Sequence, residues 1–160
     1  MKKIAIASDH AGFKLKDALK KFLESKGYVV KDFGTFSEKM VDYPDFIIPA
    51  AESVAKNEND IGIVIGGSGN GEAIAANKVK GIRCAVCWNE ETARLAKEHN
   101  NANMISLGAR LITEKEAILI VDTWLKSTFK KGRHLRRIRK ISGYENSTKK
   151  IKKSNYILKN

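Results

Sequence analysis

Short apolar runs alternate along this chain with longer stretches in which apolar residues recur every three or four positions. Lys3 to Ser8 predicts a first strand. Phe13 to Ser25 predicts a helix, because Leu15, Leu19, Phe22 and Leu23 share one face, and Gly27 stands where a C-terminal cap is expected. Tyr28 to Phe33 is the next strand, and Pro44 opens a helix to about Lys56, since proline is well tolerated in a first turn. Ile61 to Ile65 is apolar at every second and intervening position, as in a strand buried on both faces. A glycine-rich turn follows, then a helix through Ile74, Ala75, Ala76 and Val79. Gly81 to Cys87 is a fourth strand, Glu90 to Glu98 a helix and Met104 to Leu107 a short fifth strand. Thr113 caps a helix from Glu114 to Lys126, with Glu116 as its capping-box partner, and a basic helix is expected from Arg133 to about Tyr144.

Strands alternating with helices imply a parallel sheet covered on both sides. The expected fold class is therefore α/β, a Rossmann-like three-layer sandwich with a five-stranded parallel sheet. A single domain is expected over residues 1–146, followed by a lysine-rich, loosely ordered tail over 147–160. In such sheets ligands bind beyond the carboxyl ends of the strands, which directs attention to Asp9-His10, to residues 66–72 and to the stretch after Leu107.

The chain's 160 residues suffice for one substantial core, and its 42% hydrophobic content is that of a globular protein. No apolar run approaches the roughly 18 to 20 residues that cross a bilayer. Met1-Lys2-Lys3 is followed within a few residues by Asp9, too soon for the apolar stretch of a signal peptide, so a cytoplasmic protein is expected. The formal charge of +12 is uneven: residues 1–125 carry 17 basic and 17 acidic side chains, whereas residues 126–160 carry 13 basic ones against Glu145 alone. A polyanion-binding protein shows such an imbalance, and so does an anion-handling enzyme whose last helix supplies arginines. The basic residues are not interleaved with aromatic ones, as single-strand stacking platforms would be. Cys84 and Cys87 form a C-x-x-C spacing within a strand-like run, where residues three apart point to opposite faces, so they are read as packing residues.

The strongest local signal is Gly66-Gly67-Ser68-Gly69-Asn70-Gly71-Glu72, between a buried strand and a helix. Glycines let the backbone bring N–H groups close to an anion, and the helix adds its positive end. Neither nucleotide signature is complete: the third glycine of G-x-G-x-x-G is missing, and no G-K-[S/T] follows. A tight strand-to-helix turn would also explain these glycines. Glu72 is either a carboxylate favoured by the helix dipole or a general base beside an anion hole. Asp9 is a candidate N-cap or a functional acid, and His99 sits in an expected helix-to-strand loop. Arg133 and Arg137, four apart, share a face of the last helix and with Arg110 suit a phosphate, since each guanidinium offers a two-pronged donor fork.

Together these segments resemble the type B ribose-5-phosphate isomerases and their hexose relatives. The likeness spans about residues 1–145 and rests on Ile6 to Gly12, Asp42-Tyr43-Pro44-Asp45, Gly66 to Gly71 leading into Ile74 to Lys78, Glu98-His99-Asn100 with Asn103, and Gly132-Arg133-His134 with Arg137. The resemblance implies an aldose–ketose isomerase that interconverts ribose 5-phosphate and ribulose 5-phosphate through an enediolate, in the non-oxidative pentose phosphate pathway. It implies no metal and no organic cofactor, and a homodimer with shared active sites, further paired into a tetramer in one alternative. No nucleic acid and no membrane partner is implied. His99 would open the furanose ring, while Asp9, His10 and Tyr43 contact the sugar. The N–H groups of Gly67, Ser68, Gly69, Asn70 and Gly71 would stabilise the enediolate with help from Asn100. Arg110, Arg133 and Arg137 would hold the phosphate, with some contributed by the partner subunit. Many family members carry a cysteine base where this chain has Gly66, and another branch places a glutamate one turn on. Glu72 matches that branch and is assigned the base, with Ser68 holding substrate or intermediate. Hexose 6-phosphates remain the competing substrates.

Overall fold

A computed structural model describes residues 1–157, with side chains through residue 147. Five strands and six helices alternate: β1 (Lys3–Ser8), α1 (Phe13–Ser25), β2 (Val29–Asp32), α2 (Pro44–Ala55), β3 (Ile61–Gly66), α3 (Asn70–Ala76), β4 (Cys84–Val86), α4 (Glu90–Asn100), β5 (Met104–Gly108), α5 (Glu114–Lys126) and α6 (Arg133–Ile157). The strands form one sheet in the order β2-β1-β3-β5-β4, and every pairing is parallel. The expected α/β sandwich is the fold observed.

Alternation along β1 shows how the layers are built. Ile4 and Ile6 face one side, with Ile63, Ile65, Ile105 and Leu107 beside them, and there they meet α1, α4 and α5 through Leu19, Leu23, Ala93, Ile120 and Trp124. Ala5 and Ala7 face the other side with Val64, and α2 and α3 pack there through Ile47, Ala50, Ala51, Ala73 and Ala76. Large side chains thus fill one layer, while alanines let two helices lie close in the other. Two sequence-level cap signals are realised. Gly27 has φ 83° and Tyr28 N–H donates to the Leu23 carbonyl at 3.1 Å, a Schellman closure of α1. Thr113 and Glu116 form the expected capping box.

Several boundaries differ from expectation. β2 and β4 are shorter than read, and both are edge strands with one neighbour each. At β4 the free edge is covered by the Asn77 side chain, which accepts from Cys84 N–H and donates to the Cys84 carbonyl, both at 2.8 Å, while just before the strand Arg83 N–H donates to the Asn103 side chain at 2.8 Å. α4 runs to Asn100 and closes at Asn101 in the left-handed region, so His99 is helical rather than in a loop. α6 extends to Ile157, past the expected end at Tyr144. The expected loose tail falls largely on residues 148–160, whose side chains lie outside the described residues, as do residues 158–160 altogether. Met1–Phe129 form one compact unit, and Lys130–Asn160, with α6, form a second.

Cys84 and Cys87 are free thiols on opposite faces of the sheet, one in each core layer, as their spacing implied. Burial pushes the Cys87 thiol up to about 12 and the Cys84 thiol higher still. Neither is a reactive thiolate at neutral pH. Among the described residues no helix is long and apolar enough to cross a membrane, and no group of three His, Cys, Asp or Glu could hold a metal ion.

Candidate active site

β1 and β3 are neighbours, yet the chain leaves them toward opposite faces, into α1 and α3 respectively. A crevice opens between such strands at their carboxyl ends. Here it is a cavity of about 390 Å³ lined by Asp9, Tyr43, Gly67, Ser68, Gly71, Glu72, Arg110 and Leu111. The first seven were legible as candidates. Leu111, 68% exposed at the rim, was not, and only its place beside Arg110 could have suggested it.

The glycine-rich segment makes the floor. Gly69 has φ 80°, and a Cβ there would come within 2.9 Å of the Leu107 backbone, so both conformation and space call for glycine. Its carbonyl accepts the buried Ser106 hydroxyl at 2.6 Å, which fixes the turn against β5. Asn70 N–H donates to the Ser68 hydroxyl at 3.3 Å, while the N–H groups of Gly67, Ser68, Gly69 and Gly71 have no acceptor among the described residues. They are free to meet an anion. Arg110 N–H donates to the Gly67 carbonyl at 3.1 Å, and its guanidinium lies over Gly67, with Nη1 3.4 Å from where a Cβ would be. Tyr43 covers Gly71 in the same manner, its ring within 2.8 Å of that glycine's missing Cβ.

Glu72, in the first turn of α3, is 4% exposed. Its carboxylate occupies the volume directly above Gly66: a Cβ added there would overlap the carboxylate carbon and both oxygens. Burial raises the Glu72 pKa above the ordinary 4.5, its own backbone N–H pulls it down in part, and the negative charge of Asp9 raises it further. A carboxyl group so displaced toward neutrality is suited to accepting and returning a proton.

Of the two readings of Asp9, that of an N-cap of α1 is not realised. The residue before α1 is Gly12, and Asp9 Oδ1 instead accepts from Gly12 N–H at 2.9 Å within the turn. Gly12 itself lies against the Ile65 carbonyl, 2.6 Å from an added Cβ, which keeps the β1 and β3 turns close. His10 is half-buried, and its Nδ1 accepts from Val41 N–H at 3.4 Å.

The other predicted residues lie elsewhere. His99 and Asn100 end α4, at the amino end of the sheet, where Arg83 holds the carbonyls of Asn100 and Asn101 at 3.0 and 2.8 Å just before β4 begins. The five residues of β5 separate them from Arg110, roughly 16 Å at about 3.3 Å per residue. Within one chain they do not join Glu72. Arg133 and Arg137 are exposed residues of α6, in the second unit.

A buried carboxylate of raised pKa, unpaired N–H groups and an arginine in the crevice of a parallel sheet are groups suited to proton transfer on a small anionic molecule. The chain belongs to the ribose/galactose isomerase family, whose model matches residues 4–141. It is 48% identical over 145 residues to ribose-5-phosphate isomerase B of Mycolicibacterium paratuberculosis, covering 89% of this chain and 91% of that one. Among solved structures, ribose-5-phosphate isomerase B of Clostridium thermocellum superposes with a TM-score of 0.90 at 51% identity, covering 91% of this chain and 99% of the other. The enzyme of Mycoplasma genitalium with bound ribulose-5-phosphate gives 0.87 at 46% identity, covering 90% and 96%.

Proposed function

We propose that this chain is an aldose–ketose isomerase that interconverts ribose 5-phosphate and ribulose 5-phosphate, a step of the non-oxidative pentose phosphate pathway. The observation that carries the reading is the Glu72 carboxylate, buried above Gly66 beside a run of free N–H groups. Family membership and the close likeness to ribose-5-phosphate isomerases supply the substrate.

In the open-chain aldose, ionised Glu72 removes the proton from C2. The C2–H electrons form the C1–C2 double bond, and the carbonyl electrons move onto O1. The N–H groups of Gly67 to Gly71 stabilise that oxyanion as it develops, where preorganised donors are most effective. The proton then returns from Glu72 to C1, while the O2 hydroxyl gives up its proton, O1 takes one and the C2=O2 bond forms, leaving the ketose. Base and donors complete the chemistry with no metal or organic cofactor. Asp9, His10 and Tyr43 hold the sugar, Ser68 contacts the intermediate, and the phosphate is taken by Arg110, Arg133 and Arg137, some of them contributed by the partner subunit.

His99, assigned to ring opening, and Asn100 serve a neighbouring subunit's site in this reading, because each lies at the far end of the sheet from its own Glu72. The working enzyme is then a cytoplasmic homodimer with shared sites. The test is conversion of ribose 5-phosphate measured with EDTA present, beside Glu72→Gln. The variant should be slower by at least about a hundredfold, the low end for a well-placed general base. Full activity in the variant would move the base elsewhere, and an inactive wild type would refute the substrate.

A further inference from the structure

Lys16 is fully buried, a rare state for a lysine, and takes no part in the chemistry above. Its Nζ donates to both oxygens of Asp32, at 2.6 and 2.8 Å, and lies 5.6 Å from the centre of the Phe13 ring and 5.0 Å from that of Phe36. Burying such a pair commonly costs as much as it returns, so its worth lies in what it holds in place.

Two segments meet at this pair. Lys16 sits in the first turns of α1, and its own N–H donates to the Gly12 carbonyl at 2.8 Å, in the turn that carries Asp9 and His10. Asp32 ends β2, and Oδ1 also accepts from Gly34 N–H at 2.9 Å. From there residues 33–43 run without helix or strand to α2. The segment crosses the end of β1, where the Gly34 carbonyl accepts from Ser8 N–H at 2.6 Å and Thr35 N–H donates to the Ser8 carbonyl at 2.8 Å. Its far end delivers Val41 N–H to His10 and Tyr43 to the cavity. A backbone N–H can only donate, so Nδ1 of His10 must be the acceptor, and the proton of the neutral ring lies on Nε2. His10 then offers a donor to a sugar oxygen.

We propose that the Lys16–Asp32 pair is a positioning element for the sugar end of the site: it clamps the 33–43 segment against α1 and thereby fixes His10 as an Nε2–H donor. Its consequence for turnover rests on the isomerase reading, whereas its consequence for His10 does not.

The chain has three histidines, so imidazole nitrogen resonances can be assigned by comparison with a His10→Gln variant. At about pH 8.5, two units above the ordinary histidine value, wild-type His10 should show a pyridine-type Nδ1 and a pyrrole-type Nε2 in two-bond 1H–15N correlations. The double variant Lys16→Met/Asp32→Asn removes both charges and leaves an amide oxygen for Gly34. It should remain folded by circular dichroism, lose at least about tenfold in kcat/KM, in keeping with a small misplacement of binding groups, and show a mixed His10 tautomer. Asp32→Asn alone, the gentler change, should show the same two effects in smaller measure. A wild-type His10 protonated on Nδ1 overturns the proposal, as does wild-type kcat/KM with an unchanged His10 pattern in either folded variant. Should the wild type fail to convert ribose 5-phosphate, the substrate reading falls, and the nitrogen spectra of the wild type and the variants still decide the clamp.

Discussion

Gly66→Ala is the sharpest single test of this site. The backbone at Gly66 is outside the left-handed region, so alanine carries no conformational penalty there, and the effect is one of space alone. The added methyl carbon would overlap the Glu72 carboxylate, whereas ordinary contacts of a Cβ begin at 3.4 Å. The carboxylate must therefore withdraw by more than an ångström. A displacement of about 1 Å at a reacting group costs on the order of a hundredfold in rate, within the 10² to 10⁴-fold that a general base supplies. We expect kcat to fall by roughly a hundredfold or more with KM within a few-fold, because the base acts on the transition state rather than on binding. Overpacking should also lower stability by about 1 to 3 kcal/mol, readable as a lower melting temperature. Glu72→Ala alone should be as slow, and adding Gly66→Ala to it should cost little further, since no carboxylate is left to displace. The cycle would give a coupling of about 2.7 kcal/mol for a hundredfold effect. Gly66→Ala within about threefold of wild type, or rate losses that simply multiply, would refute the reasoning.

Burial of Glu72 has a stability consequence of definite sign. Its folded-state pKa is raised, so between the ordinary 4.5 and the folded value the native state holds more protons than the unfolded chain, and stability falls as pH rises through that window. Glu72→Gln, which cannot ionise, should gain on wild type as pH rises above the ordinary 4.5 through the raised folded-state value; parallel denaturant midpoints would contradict this. Shared sites predict complementation. Mixing inactive Glu72→Gln and His99→Ala chains after reversible dissociation should recover about a quarter of wild-type activity, since half the random dimers are mixed and each has one intact site. No recovery in verified mixed dimers would place Glu72 and His99 in the same chain's site and overturn the shared-site reading, whereas an active His99→Ala chain would place His99 outside the chemistry.

Much of the architecture was legible because it is written locally. The 3.6-residue period of α1, the Gly27 closure and the Thr113–Glu116 box involve neighbours a few residues apart, and all three appear in the structure where the sequence places them. Most of the cavity lining was legible too, because strand-to-turn-to-helix segments in a parallel sheet converge at the carboxyl ends of the strands. What tertiary structure alone decided depends on contacts between distant residues. The covering of the β4 edge follows from Asn77 reaching Cys84, and the burial of Lys16 from Asp32 arriving across the end of the sheet. His99 reads as a companion of Glu72 in a linear motif list, but the course of α4 back along the sheet carries it to the opposite end. Glu72 shows the division most clearly. The sequence by itself supplies a carboxylate near a helix start and a glycine six residues before it; only the fold lays one in the space left by the other, because excluded volume acts between atoms in space and not between positions along a chain.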